Sequence, residues 1–138
     1  MNGNTTVGSN VTIISEQDIN LGGSTTIANS VQDYAVIYAG GDLSVASSNI
    51  SGLIISKGSN TSINSSTING AVHIESPTVS ISNANINGAL VTKYSPSITS
   101  STFTKGNLPD IFDTNDSTVK WLISRYNFFG IKSTIKKC

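Results

Sequence analysis

The sequence predicts an all-β chain wound as a single-stranded parallel β-helix of about five to six turns, with a C-terminal α-helix packed on one side. Three observations carry that prediction. Four consecutive 18-residue blocks, each ending in glycine, tile residues 35–106 without a gap: AVIYAGGDLSVASSNISG, LIISKGSNTSINSSTING, AVHIESPTVSISNANING and ALVTKYSPSITSSTFTKG. A block that short cannot bury a core alone, so each must be one turn of a stack. Superimposed, the blocks give apolar columns, with Val36, Ile54, Val72 and Leu90 at the second position and Ile50, Ile68 and Ile86 at the sixteenth. The polar remainder is uncharged Ser, Thr and Asn interleaved with Ile and Val, which signals strands and argues against disorder.

Taken in order, the N-terminal part repeats least regularly. Val11/Ile13 and Ile19/Leu21 read as strand pairs with Gly22-Gly23 as a turn, and Ile27 lies 18 residues before Val45, as if to stack on it. In the regular blocks the ninth and eleventh positions read Leu43 and Val45, Thr61 and Ile63, Val79 and Ile81. The fourth block slips by one residue, with Ile98 and Phe103 keeping the spacing of Ile81 and Ile86 one position early. Three apolar clusters per turn describe a three-sided coil of short strands. Gly52, Gly70, Gly88 and Gly106 suit its corners, where positive φ or close backbone approach is needed. Stacking at ~4.8 Å makes a rod roughly 25 Å long. The crossover rule and the uneven spacing of the apolar clusters favour the right-handed form, while a left-handed helix with three equal sides is the competitor.

The fifth position reads Ala39, Lys57, Glu75 and Lys93, whose three charges form a ladder of alternating sign worth ~0.5 kcal/mol. Asn49 and Ser51, Thr67 and Asn69, Asn85 and Asn87 flank the Ile50, Ile68 and Ile86 column and form a candidate outer binding face of small polar residues. The first side (AVIY, LIIS, AVHI, ALVT) is apolar at adjacent positions, so both of its faces are greasy and the outer one needs a cover. The tail offers one. Asp113–Ser117 supplies N-cap residues ahead of Val119, Trp121, Leu122, Ile123, Tyr126 and Phe129, predicting a helix at about 115–128 whose cap contacts are Trp121, Leu122 and Tyr126. The β-helix thus spans 1–106, regular over 35–106, and 107–138 form the helical cap or tail.

Composition narrows function more than it names it. The 138 residues carry 12% charged residues and no net charge, which argues against nucleic acid, whose phosphates call for a basic footprint. Cys138, the single cysteine, excludes an internal disulfide and reads as a terminal thiol without consequence. His73 is the only histidine, in the column of Ile37, Ile55 and Val91, and reads as a packed imidazole under the tail. With no second His or Cys at ligand spacing, no metal site is expected. Of the acids (Glu16, Asp18, Asp33, Asp42, Glu75, Asp110, Asp113, Asp116) only Asp42 and Glu75 fall in the repeats, in different columns, so the clustered carboxylates of a glycan-cleaving β-helix are missing. The expectation is no enzyme, no catalytic residue and no cofactor. Asn-x-Ser/Thr recurs at Asn4, Asn10, Asn49, Asn60, Asn64 and Asn115, mostly by chance in so Asn- and Ser-rich a chain. No apolar run reaches the ~20 residues of a membrane span. The opening Met1-Asn2-Gly3-Asn4 reads like a trimmed start and leaves room for a native anchor ahead of it.

The phrases NISGLIISKG, STINGAVHIES and NINGALVTK resemble two bacterial families. One is the bactofilins, right-handed β-helices that join end to end into filaments. The other is the β-solenoid regions of Gram-positive surface and pilus-assembly-associated proteins. The likeness covers half to two-thirds of the chain. Low charge with abundant Ser and Asn, and the aromatic tail, depart from the bactofilin pattern. The resemblance implies a structural or assembly module with protein partners or self-association through the solenoid ends or side. It implies a location at the cell surface or outside, or the cytoplasm on the bactofilin reading, and it offers no catalytic residue to carry over. The alternative is a glycan- or ice-binding solenoid using the Ser/Thr/Asn face. Mixed Asn and Ser in place of Thr ranks counts against ice. The lack of aromatic platforms other than Tyr38 and Tyr94 counts against sugar.

Overall fold

The computed structural model describes residues 1, 3–8, 10–28 and 34–105. Over these the chain is a parallel β-solenoid of about five turns, at the lower end of the expected count. Its strands are β1 (Thr6–Val7), β2 (Val11–Ser15), β3 (Ile19–Leu21), β4 (Thr26–Ile27), β5 (Ala35–Ala39), β6 (Leu43–Ala46), β7 (Asn49–Ser56), β8 (Asn60–Asn64), β9 (Thr67–Ile74), β10 (Thr78–Ser82), β11 (Asn85–Thr92), β12 (Ser97–Thr99) and β13 (Thr102–Thr104). They form two sheets. β3, β6, β8, β10 and β12 stack as the second side of the coil, and the other eight strands form the first and third sides together. The helix expected at 115–128, with Trp121, Leu122 and Tyr126, lies outside the described residues.

The 18-residue period is a vertical repeat. β7, β9 and β11 pair in register along their whole length, stacking Ile50, Ile68 and Ile86 and, further along, Ile54, Val72 and Leu90. Two expected alignments fail at the first regular block. Val36 pairs with Leu53, and it is Ile37 that continues the Ile54 column. Likewise Ala39 pairs with Ser56 and not with Lys57. The rung from β5 to β7 is one residue short, so the inward-facing Ile37 takes the place the numbering assigned to Val36. Ile27 pairs with Ile50, not Val45, because the first coil is longer than the rest. The late slip is as read, with Ile81 beside Ile98 and Ile86 beside Phe103.

Three of the four glycines expected at corners make their bend within a strand, and Gly106 lies outside the described residues. Gly52, Gly70 and Gly88 lie inside β7, β9 and β11, with φ of 150°, 144° and 147°. A Cβ on Gly70 would stand 2.0 Å from the carbonyl oxygen of Gly52, and one on Gly88 1.8 Å from that of Gly70. Only glycine lets the backbone stack here, so the third side of one turn runs into the first side of the next as one strand. The corner between second and third sides works differently. Ser47, Ser65, Asn83 and Ser100 occupy the left-handed region, a conformation that short polar side chains tolerate.

The interior is a continuous apolar column. Leu21, Ile27, Ile37, Ile50, Ile54, Ile63 and Ile68 are all at most 1% exposed. One polar knot interrupts it: the hydroxyls of Ser56, Thr61 and Ser76 lie 2.7 and 2.6 Å apart along the chain Ser56–Thr61–Ser76 and satisfy one another. That mutual pairing lets three buried hydroxyls sit in an otherwise dry core.

Candidate functional site

The six polar residues singled out from the sequence fall into two vertical columns. Asn49, Thr67 and Asn85 stack in one, continued by Thr102; Ser51, Asn69 and Asn87 stack in the other, continued by Thr104. Alternation along a strand puts both columns on the face away from the core, two residues apart. The second is a side-chain ladder. Asn87 Nδ2 donates to Asn69 Oδ1 at 2.9 Å, and the Thr104 hydroxyl donates to Asn87 Oδ1. Asn49 and Asn85 are exposed, and Thr67, Asn69 and Asn87 are half-buried. Ser51 belongs to the ladder by register but is fully buried, so it offers nothing to a ligand.

Beside this face, across the second corner, lies an open groove of about 300 Å³ lined by Ser24, Thr25, Thr26, Ser47, Ser48, Asn49, Ser65 and Thr67. Its floor is held by a hydroxyl clasp that repeats from turn to turn. Ser66 Oγ donates to the Asn64 carbonyl at 2.7 Å and accepts from the Ser48 amide at 3.1 Å. Ser101 likewise donates to the Thr99 carbonyl at 2.9 Å and accepts from the Ala84 amide at 3.1 Å. These serines are committed to the backbone, which leaves the rim residues Ser24, Ser47, Asn49 and Ser65 exposed to solvent.

A second polar rank escaped the sequence reading. Asn20, Ser44, Ser62, Ser80 and Ser97 stack in one column on the outer face of the second side, next to Asn64, Ser82 and Thr99. Ser82 Oγ donates to Asn64 Oδ1 at 3.2 Å. The signal was present at the tenth position of the first three blocks, between the ninth and eleventh positions read for their apolar residues, and one position early in the fourth.

The charged groups have structural partners. Asp42 accepts from the Asn60 amide at 2.9 Å and from Asn60 Nδ2 at 2.8 Å, and its own amide donates to Asp18 Oδ1 at 2.8 Å, so three turns are clasped at one corner. The Asn60 side chain and then the Asn60 amide hold the Asp42 carboxyl below its ordinary range. Of the alternating ladder, Lys57 Nζ meets Glu75 at 3.5 Å, while Lys93 Nζ instead lies 5.5 Å from the centre of the Tyr94 ring. His73 Nε2 lies 3.2 Å from Glu75 Oε1, and burial pushes its pKa below the ordinary value against the pull of that carboxylate.

His73 marks a further layer. Tyr38, Ile55, His73 and Val91 form one outer column of the first side, and Val36, Leu53, Ala71 and Ala89 its neighbour. Leu53, Ile55 and Ala71 are fully buried although they take no part in the interior cluster. The first side is therefore apolar and enclosed on both faces at Leu53, Ile55 and Ala71, while Val36, Tyr38, Ala89 and Val91 in the same two columns are half-buried. Among the described residues no group of three or more His, Cys, Asp or Glu is placed to hold a metal ion. Comparison of the chain with protein-family models, with curated proteins and with solved structures found no match.

Proposed function

We propose that this chain is a non-enzymatic structural module, a rigid solenoid rod that presents its hydroxyl and amide faces to partners in a bacterial cell-surface, pilus-like or filament assembly. The observation that carries this reading is the continuity of the outer polar columns over the regular turns, from Ser44 to Ser97 on one side and from Asn49 to Thr102 on another. Such a surface is neutral, uncharged in its ranks and repeated at strand spacing, so it suits an extended contact better than a single small molecule. Asp42 and Glu75 clasp neighbouring turns together, which supports a structural use of these carboxylates. The rod is right-handed on this reading, since its parallel crossovers obey the general preference. On this reading the helix expected at about 115–128, which lies outside the described residues, is the cover of the outer apolar layer around Leu53 and Ile55. The full burial of those two residues on a face away from the core supports that cover.

The test is a chain carrying Ser62→Lys, Ser80→Lys and Asn85→Lys, which charges the faces without touching the core. In fractions of the producing bacterium, wild type should sediment with the envelope or filament material and the variant should be released as folded monomer. An unchanged distribution would sink the proposal. The Ser/Thr/Asn groove supports a second reading, recognition of a neutral polyhydroxylated ligand such as a glycan. Binding on a glycan array that is lost in Asn49→Lys would favour it, and thermal hysteresis would point to ice instead.

A further inference from the structure

The side-chain ladder on the third side is built on a chemically labile pair of residues. In two consecutive turns the glycine that lets the backbones stack follows directly on a ladder asparagine, giving Asn69-Gly70 in β9 and Asn87-Gly88 in β11. The turn before them carries Ser51-Gly52 in the same places, which has no side-chain amide to react. Asparagine is thermolabile, most of all ahead of glycine, where no side chain obstructs attack by the next backbone nitrogen. That nitrogen bonds to the asparagine Cγ, the Cγ–Nδ2 bond breaks, and ammonia leaves with the proton the backbone nitrogen gives up. Water then opens the succinimide at either carbonyl, giving aspartate or isoaspartate. The reaction needs only water.

The fold holds both asparagines away from that geometry. Ring closure needs rotation about the Cα–C bond, away from the ψ of about +115° of a parallel strand. Asn69 is paired with Ser51 on one side and Asn87 on the other, and Asn87 with Asn69 and Thr104, so the rotation would disrupt the pairing on both sides. The side chains are tied as well. Asn69 Oδ1 accepts from Asn87 Nδ2 at 2.9 Å, and Asn87 Oδ1 accepts from the Thr104 hydroxyl. Both residues are half-buried.

We propose that Asn69 and Asn87 are latent sites of spontaneous deamidation, held silent by stacking and converted when a turn opens. The conversion runs one way. An aspartate at 87 lacks the Nδ2 donor that Asn69 Oδ1 accepts, and it places a negative charge in a rank of neutral residues. An isoaspartate at either position adds a methylene to the backbone, so the strand no longer matches its neighbours residue for residue. A turn that opens long enough to react therefore does not close as before, and a passing fluctuation becomes a permanent mark. The stack needs glycine at 70 and 88 and the ladder places asparagine before each, so the lability follows from the architecture. The inference does not rest on what the faces of the rod bind.

The experiment incubates the full chain in mildly alkaline buffer, folded or unfolded in urea, and reads Asn69 and Asn87 by peptide mapping and mass spectrometry. Both should convert at least about tenfold more slowly in the folded chain. Ile68→Ala, which loosens the turn carrying Asn69, should speed conversion in buffer at least about tenfold and leave the rate in urea unchanged. If that variant unfolds, Ile68→Val should give a rise of at least about twofold. Isoaspartate among the products identifies the succinimide route. Equal rates in the folded and unfolded chains overturn the proposal, as does a folded Ile68→Val chain that converts no faster than wild type. Aspartate without isoaspartate overturns it too, because direct hydrolysis would then be the reaction.

Discussion

Between β7 and β11 the rungs repeat every 18 residues and the interior is sealed; in the first coil neither holds. Ile50, Ile54, Ile68 and Val72 are fully buried, each with a turn above and below. In the first coil the corner contact from Asp42 to Asp18 spans 24 residues, Val11 and Ile13 are only half-buried, and Ile14 is 67% exposed. The strands there are built from the same residue types, so propensity does not separate the two regions. Neighbours do. A turn in mid-stack is covered on both sides and a terminal turn on one, which makes stability a sum of contacts between adjacent turns. The longer first rung adds chain to order without adding a strand to pair.

The largest effect should come from filling the glycine column. Gly70→Ala places a Cβ on the Gly52 carbonyl oxygen, 2.0 Å away, at a φ of 144° that L-residues avoid. Strain and clash together should cost at least about 4 kcal/mol, enough to lose the cooperative urea transition. Gly3, at φ 87° with open space where its Cβ would stand, should tolerate alanine at a cost of about 1–2 kcal/mol. Similar losses at the two positions would mean that backbone approach does not set the period.

Cavity mutants come next and compare the regions directly. Ile68→Ala removes a fully buried side chain with a turn on either side and should cost about 3–4 kcal/mol. Ile13→Ala removes a half-buried one on the terminal turn and should cost about 1 kcal/mol. Denaturation followed by far-UV circular dichroism measures both. Equal costs would remove the distinction between a sealed middle and a loose end.

Legibility follows the same division. Where turns are uniform, the sequence sufficed: Ile50, Ile68 and Ile86 stack as their spacing says, and the one-residue slip at Ile98 and Phe103 is real. Where a rung is shortened or lengthened, counting fails, because register depends on which residue faces inward and not on its number. Ile37 therefore displaced Val36, and Ile27 found Ile50. Glycine was read correctly as the residue of close backbone approach and positive φ at Gly52, Gly70 and Gly88; what the sequence did not disclose is that these corners lie inside continuous strands, since a bend inside a strand and a corner between strands leave the same residue. The polar face was half legible. Asn69 and Asn87 could be read as a ladder, whereas the clasp of Ser48 and Ser66 depends on left-handed backbone at Ser47 and Ser65 that no periodicity announces.

Two titrations probe the middle and its junction with the first coil. His73, in the middle, has a folded pKa below its ordinary 6.5 because burial disfavours the charged ring. The unfolded chain therefore takes up the proton first. Stability is complete above about pH 6.5 and falls as pH drops from there through the folded value. Asp42, at the junction, is held below 3.8 by Asn60, so its contribution is present above that value and is lost as pH falls through the folded pKa. His73→Gln should flatten the upper step of a stability–pH curve and Asp42→Asn the lower. A curve with both steps intact in the two variants would show that neither group is linked to folding.

The smallest expected effect has the opposite sign and lies where the two regions meet. Ser51 and Ser56 are on the same strand and both fully buried, but only Ser56 has hydroxyl partners, Thr61 at 2.7 Å and Ser76 at 3.5 Å. Ser51 Oγ has no hydrogen-bond partner among the described residues. By register Ser51 lies beside Asn69, whose ladder bond runs to Asn87 on the other side, and the residue after Ile27 in the rung below is Ala28, which has no polar side chain. An unpaired buried hydroxyl carries its full desolvation cost, so Ser51→Ala should leave stability unchanged or raise it by a few tenths of a kcal/mol, while Ser56→Ala should lower it by about 1–2 kcal/mol. Urea midpoints of the two variants decide it: a Ser51→Ala chain weakened by more than about 1 kcal/mol would mean the irregular coil does supply that hydroxyl with a partner.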